Sequence, residues 1–143
     1  MVLNFSDELR FSSARVARLG TVMPDGTPHL VPCCFAVADR VAYTAVDDKP
    51  KRSRQLQRLA NVAAHPVATL LVDHYDEDWS TLRWVRAGGP ARLVTAGQQH
   101  DTAVHLLVAK YAQYASHRLD GPVLAIQLDD WRSWSAEDPG VRR

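Results

Sequence analysis

The sequence has little cysteine and no long apolar run. Its two cysteines, Cys33 and Cys34, are adjacent, and on a strand their side chains would point to opposite faces, so we expect no structural disulfide between them. No apolar stretch approaches the roughly 20 residues that span a bilayer, and the N-terminus lacks the apolar core of a secretion signal. We therefore expect a cytoplasmic protein that does not enter the membrane.

A large net charge and the common catalytic fingerprints are also missing. The formal net charge of +1 gives the surface as a whole no attraction for nucleic acid or for an anionic membrane. Any anion must therefore be bound by a local cluster of cations. The patterns G-x-S-x-G, G-x-x-x-x-G-K-[ST] and G-x-G-x-x-G are absent, which argues against the commonest hydrolase and nucleotide-binding sites. The six histidines show no metal-ligand spacing, and we expect no metal site.

The chain is long enough for one domain. Its 143 residues can bury about two-thirds of the unfolded surface, and because no linker or repeat divides them we treat residues 1–143 as a single domain. Apolar segments between turn signals predict six strands, at 16–23, 28–38, 41–45, 67–75, 82–95 and 123–128. Helical spacing predicts three helices, at 6–14, 53–61 and 97–114. We expect residues 134–143 to form a flexible tail.

The order of these elements restricts the fold class. Strands joined mostly by short turns predict a mainly antiparallel barrel or sandwich with flanking helices, and they do not fit a doubly wound parallel sheet. Periodicity alone does not choose between barrel and sandwich. Gly88 and Gly89, in the middle of the fifth predicted strand, predict a bulge or a sharp bend there.

A basic segment surrounds the predicted start of the second helix. Its cations and one serine are Lys49, Lys51, Arg52, Ser53 and Arg54. A helix N-terminus offers unpaired N–H groups and the positive end of the helix dipole, and arginine adds two donors that match a phosphate. The segment can therefore bind a phosphorylated ligand tail. The alternative, which the spacing leaves open, is a solvated basic loop partly neutralised by Asp47 and Asp48.

The aromatic segment D-W-S-T-L-R-W-V-R follows an acidic loop. Trp84 and Arg86 share one strand parity, whereas Arg83 has the other. The combination of tryptophan and arginine is typical of a buried interface or of stacking on a planar ligand. We favour an interface role for Trp84 with Arg83, and core or hairpin packing for Trp79.

Three segments together carry a resemblance to a known family. T-V-M-P-D-G-T-P-H-L-V-P (residues 21–32), V-A-Y-T-A (residues 41–45) and the basic segment resemble the pyridoxamine 5'-phosphate oxidase-like split-barrel superfamily. Within it, the chain is similar to an actinobacterial branch of F420-dependent (deazaflavin-dependent) enzymes, and K-Y-A-Q-Y (residues 110–114) is similar to one subfamily of that branch. The resemblance covers residues 5–134. It implies a six-stranded antiparallel split β-barrel, and a homodimer with two cofactor sites at the subunit interface.

The resemblance also implies roles for individual residues. The flavin-type ring would lie on the second and third strands, against His29, Val31, Pro32, Cys33, Tyr43, Thr44 and Ala45. The phosphate and acidic tail of the cofactor would be held by Lys49, Lys51, Arg52, Ser53 and Arg54. The partner subunit would cover the ring with Trp79, Arg83 and Trp84.

The implied function is that of an F420-dependent oxidoreductase, which transfers hydride between F420 and a small unsaturated or heteroaromatic substrate. Since a deazaflavin carries hydride on its own ring carbon, no general acid is required, and we name no catalytic residue. The clustered cations match a tail with a phosphate and several carboxylates better than a lone phosphate, which favours F420 over FMN. Two alternatives stay open: an FMN-binding oxidoreductase of the pyridoxamine-phosphate-oxidase type, and a non-catalytic flavin- or deazaflavin-binding protein.

Overall fold

The computed structural model describes residues 4–46 and 52–142, and for residues 52–56 and 142 it describes the backbone only. These residues form three α-helices and nine strands. The helices are α1 (Phe5–Ser13), α2 (Arg52–Ala64) and α3 (Gln98–Lys110). The strands are β1 (Ala17–Val22), β2 (Pro28–Cys33), β3 (Ala36–Ala38), β4 (Val41–Ala45), β5 (Val67–His74), β6 (Arg83–Val94), β7 (Val123–Gln127), β8 (Asp130–Ser135) and β9 (Asp138–Arg142). None of the helices in this part of the chain is both long and apolar enough to cross a membrane.

The strands form one mostly antiparallel sheet. Its hydrogen-bonded order is β2-β1-β5-β6-β7-β4-β3, with β8 beside β6 and β9 beside β8. Along the main path the sheet ends at β2 and at β3, and among the described strands these two ends do not pair with each other. The sheet is therefore curved but not closed. The predicted mainly antiparallel split barrel with flanking helices is confirmed.

Strand β6 belongs to both halves of this sheet. Its first half pairs with β5 and β8, and from Ala91 onward it pairs with β7. At the transition, a Cβ on Gly88 would lie 2.6 Å from the carbonyl oxygen of Ala68, and one on Gly89 would overlap the carbonyl oxygen of Gln127. The glycine pair is therefore explained by the close approach of neighbouring backbones where the strand changes partners.

Two apolar layers hold the fold together. Inside the barrel, the fully buried Phe11 of α1 meets Phe35 and Trp131 edge-on, with ring centroids 5.3 and 5.0 Å away. The second layer lies between α3 and the strands β4 and β7, where Ala103 and Leu107 are fully buried. Helix α3 thus contacts the sheet through an apolar face.

The structure contains strands that the sequence did not predict. The segment predicted as one strand over residues 28–38 is two strands, because Cys34 and Phe35 interrupt the ladder between β2 and β3. Strands β8 and β9 lie where we predicted no strand and then a tail. The inward positions of β8 include Ser133 and Ser135, which are buried. The apolar alternation that identifies a strand in a sequence is therefore weak there.

The first helix begins one residue earlier than predicted. It starts at Phe5 after the N-cap Asn4, whose side-chain oxygen accepts a hydrogen bond of 2.8 Å from the Ser6 backbone N–H. Its Asp7 is buried and accepts a hydrogen bond of 2.7 Å from the Ser133 hydroxyl. This hydrogen bond joins α1 to β8.

Candidate functional site

The end of β2 approaches β4, the neighbour of the edge strand β3. There the Thr44 side chain of β4 lies close enough to the Cys33 thiol to lower its pKa. Because side chains alternate along a strand, His29 and Val31 lie on the same face of β2 as Cys33. Helix α2 packs against β6 and β1, and the charge of its Arg58 acts on Cys33. We call the region where the inward face of β2, Thr44 of β4 and α2 come together the opening.

A buried polar contact fixes α2 over the opening. Asn61 is fully buried, and its side-chain N–H donates to the Thr21 hydroxyl at 3.0 Å. Gln57 in turn donates to the Asn61 side-chain oxygen at 2.7 Å. Thr21 lies directly opposite His29 in the β1–β2 register, so this helix lies beside the His29 face. The apolar residue Ala60 of the same helix is exposed. The spacing of apolar residues does not identify the buried face of a helix when an asparagine lies at the centre of that face.

Two nitrogens near the opening are buried without a partner. Among the described residues, His29 Nδ1 and Arg58 Nε are the buried side-chain polar atoms that make no hydrogen bond. Arg58 lies one helical turn before Asn61, and its positive charge acts on Cys33. A buried donor left unpaired costs about 1–3 kcal/mol. A bound ligand with polar atoms could supply the missing partners, so His29 and Arg58 are candidate contacts for a cofactor.

Cys33 is a neutral part of this surface. Burial raises the pKa of its thiol to about 11, and the Thr44 hydrogen bond and the Arg58 charge offset that rise only in part. At neutral pH the thiol therefore stays protonated. It can line a ligand site, but it is a poor nucleophile there because the thiolate is the reactive form.

The raised pKa of Cys33 predicts a loss of stability at alkaline pH. The unfolded thiol ionises near 9.0 and the folded one near 11, so the contribution of Cys33 to the free energy of unfolding is complete below pH 9. It should decrease by about 2–3 kcal/mol as the pH rises to 11. Urea unfolding under reducing conditions at pH 8–11 should show this decrease in the parent protein relative to Cys33→Ala.

Cys34→Ala is the matched control, because it keeps Cys33 and should follow the parent protein across the same pH range. Burial is the largest cause of the shifted pKa values of Lys110 and Tyr111, with smaller effects from both cysteines, so most of their contribution is common to the three proteins. Parallel curves for the parent protein and Cys33→Ala would show that this thiol is not held in its neutral form.

The residues predicted to line the ring do not all share one face. The inward face of the opening carries His29, Val31, Cys33 and Thr44. Pro32 points to the other side of β2 and is exposed. Tyr43 and Ala45 are buried in the layer against α3, where the Tyr43 hydroxyl accepts a hydrogen bond of 3.3 Å from Gln99.

The basic segment lies mostly outside the described side chains. Lys49 and Lys51 are not among the described residues, and Arg52, Ser53 and Arg54 are described by their backbone, which forms the first turn of α2. The helix thus starts close to where we predicted it. That these side chains bind an anion stays a prediction.

The three residues predicted to reach the partner subunit lie just before and at the start of β6, in the middle of the strand order. Trp79 is 66% exposed in a 3-10 turn before β6, and its indole N–H donates to the Tyr75 hydroxyl at 3.4 Å. Arg83 and Trp84 point to opposite faces of β6. The guanidinium of Arg86 lies 5.3 Å from the Trp84 ring centroid. None of the three lies on the strands that bound the opening.

Arg58, Asn61 and Thr21 are the residues of this site that sequence reasoning missed. Their signal is weak because an arginine and an asparagine in a helix usually indicate a solvated face. No group of three histidine, cysteine, aspartate or glutamate side chains within residues 4–46 and 52–142 is arranged to hold a metal ion.

The sequence profile of the pyridoxamine 5'-phosphate oxidase family matches residues 6–135. The chain belongs to this family. Members of the family usually bind flavin. No protein of curated function matches the chain in sequence.

Solved structures share the fold at low sequence identity. A conserved hypothetical protein from Mycobacterium tuberculosis aligns with a TM-score of 0.74 and 22% identity over 96% of this chain and 88% of that protein. A heme binding protein from Mycobacterium smegmatis aligns with a TM-score of 0.74 and 17% identity over 99% of this chain and 59% of that protein. An FAD-binding protein from Mesorhizobium loti aligns with a TM-score of 0.66 and 19% identity over 92% of each chain.

Proposed function

We propose that this chain is a homodimeric F420-dependent oxidoreductase. It would hold the cofactor ring in the opening, near the subunit interface, and transfer hydride between F420 and a small unsaturated or heteroaromatic substrate. The observation that carries the proposal is the pair of buried, unpaired nitrogens, His29 Nδ1 and Arg58 Nε. Membership of a family that usually binds flavin supports it.

The residues around the opening would bind and orient the cofactor. When bound, its ring would supply the carbon that carries hydride. Arg58 is a fixed cation and can donate to a carbonyl or anionic edge of the ring. His29 can donate or accept, according to its tautomer. Cys33 contributes a neutral, apolar contact, and α2 excludes water from one side.

The choice of F420 over FMN rests on charge. Four cations, at 49, 51, 52 and 54, precede or open α2, and they match a tail with several negative charges better than a single phosphate. FMN is the alternative within the same kind of site. Purified protein that retains a yellow flavin would favour FMN. Colourless protein that binds added F420 would favour the proposal.

A second candidate is ligand binding without turnover. Neighbours of the same fold include proteins described as heme binding and heme storage, from Mycobacterium smegmatis and Vibrio cholerae. His29 has an unpaired nitrogen at the opening and could ligate heme iron, since imidazole is a common iron ligand. Parallel titrations with heme, F420 and FMN, followed by turnover of reduced F420 with a substrate panel, separate these candidates.

Removing a cation of the basic segment should weaken cofactor binding. We expect Lys51→Ala and Arg54→Ala each to cost about 1–3 kcal/mol of binding free energy, as for charge-assisted hydrogen bonds. Equilibrium fluorescence titration with F420 measures this loss. Arg118→Ala is the control, because that side chain is 85% exposed beside Asp120. Unchanged affinity in both test variants would place the cofactor tail elsewhere.

A further inference from the structure

A separate cavity lies beneath the C-terminal half of α1. It has a volume of about 230 Å³ and is bounded by α1, the end of β5 and the start of β6. Its apolar floor consists of Ala14, Val72 and Val85. We call it the α1 pocket. Its lining residues are not on β2, β4 or α2, so it does not share the opening described above.

Cationic side chains converge on this floor. Arg83 and His74 lie directly opposite each other in the β5–β6 register. They have the same strand parity as Val85 and Val72, so they point to the same face. From the other side, α1 contributes Arg10, together with Ser13. A guanidinium and an imidazole opposed in this way can both donate hydrogen bonds to one anion that lies between them.

The chain itself supplies little negative charge to this pocket. Asp73 and Trp84 also border the pocket, but they are a cross-strand pair of the other strand parity, so their side chains point to the other face of the sheet. The carboxylate of Asp7 is 3.7 Å from Arg10 and already accepts a hydrogen bond from Ser133. Within residues 4–46 and 52–142, the side chains of Arg83 and His74 make no hydrogen bond or ion pair.

We propose that the α1 pocket binds a small organic monocarboxylate. The carboxylate would lie between Arg83, His74 and Arg10, because a guanidinium matches the two oxygens of a carboxylate. The apolar part of the ligand would cover the floor, which an inorganic anion would leave uncovered. The volume of about 230 Å³ lies below the usual range for drug-sized ligands, so the ligand is a small acid and not a nucleotide.

Benzoate is a suitable probe of this proposal. We expect ligand-detected NMR to show millimolar or tighter binding of benzoate to the full-length protein, and no comparable binding of the neutral benzamide. Arg83→Gln should weaken benzoate binding at least tenfold. The matched control is Arg86→Gln, three residues along the same strand and of opposite parity, which should bind like the parent. Equal binding of benzamide, or equal losses in the two variants, would overturn the proposal.

A substitution in the opening shows whether benzoate binds in the α1 pocket and not at the proposed cofactor site. Arg58→Met should leave benzoate binding unchanged, whether or not the protein binds F420. If that variant alone lost benzoate, the probe would be binding in the opening and the α1 pocket proposal would be wrong.

A carboxylate introduced by mutation at the proposed anion site gives a second test of the proposal. His74→Asp places a carboxylate opposite Arg83, so we expect benzoate binding to fall at least tenfold while the temperature midpoint of unfolding rises. A fold defect would lower the midpoint instead. A variant that is less stable, or that still binds benzoate like the parent, would contradict an anion site at Arg83 and His74.

Discussion

Gly89→Ala is expected to lower the free energy of unfolding by about 3 kcal/mol. The added Cβ would overlap the carbonyl oxygen of Gln127, and a backbone atom in a sheet cannot move aside as a flexible side chain can. Overpacking in a well-packed interior costs about 1–3 kcal/mol and occasionally more. Urea unfolding followed by tryptophan fluorescence measures the change.

Gly121→Ala is the matched control for this substitution. Its Cβ would lie 3.6 Å from the nearest atom, the carbonyl oxygen of Val46, which is ordinary contact. We expect a change within about 0.5 kcal/mol, as for other substitutions without a structural conflict. Similar losses in both variants would mean that β6 does not change partners at Gly89 as the structure shows.

Arg58→Met is expected to change cofactor affinity and stability in opposite directions. Loss of a charge-assisted donor should weaken F420 binding by about 1–3 kcal/mol, which is roughly 5- to 150-fold. In the cofactor-free protein the same substitution removes the buried Nε that has no partner. The free energy of unfolding should therefore rise by about 1 kcal/mol. Fluorescence titration and urea unfolding measure the two effects.

This opposition distinguishes a binding role of Arg58 from a structural one. A residue that only stabilises the fold would lose stability on substitution and leave the affinity unchanged, and that result would remove Arg58 from the site. Arg18→Met is the control, because Arg18 is an exposed arginine of β1 that points away from the opening. It should alter neither quantity appreciably.

Much of the fold could be predicted because its strands are marked by local signals. The hairpin of β1 and β2 follows from Pro24, Asp25 and Gly26, and β4 was predicted with its observed bounds. Strand β8 was missed because Ser133 and Ser135 occupy its buried positions. A polar residue that is buried by a partner distant in the sequence, such as Ser133 with Asp7, leaves no periodic signal.

The candidate site was only partly predictable, for a similar reason. Strand alternation is enough to place His29, Val31 and Cys33 on one face. Alternation does not show which face of β4 lies against these residues. In the structure, the Tyr43 side chain packs in the layer against α3. The buried position of Arg58 depends on how α2 lies against β1. That orientation is fixed by the Asn61–Thr21 hydrogen bond of 3.0 Å, which joins residues 40 positions apart.

A crystal structure of the protein with F420 bound tests the central proposal most directly. We predict that the ring lies between β2 and β4, with polar atoms within about 3 Å, a normal hydrogen-bond distance, of His29 Nδ1 and Arg58 Nε. The anionic tail should extend toward the start of α2. A ring bound elsewhere, with both nitrogens still unpaired, would contradict the proposal.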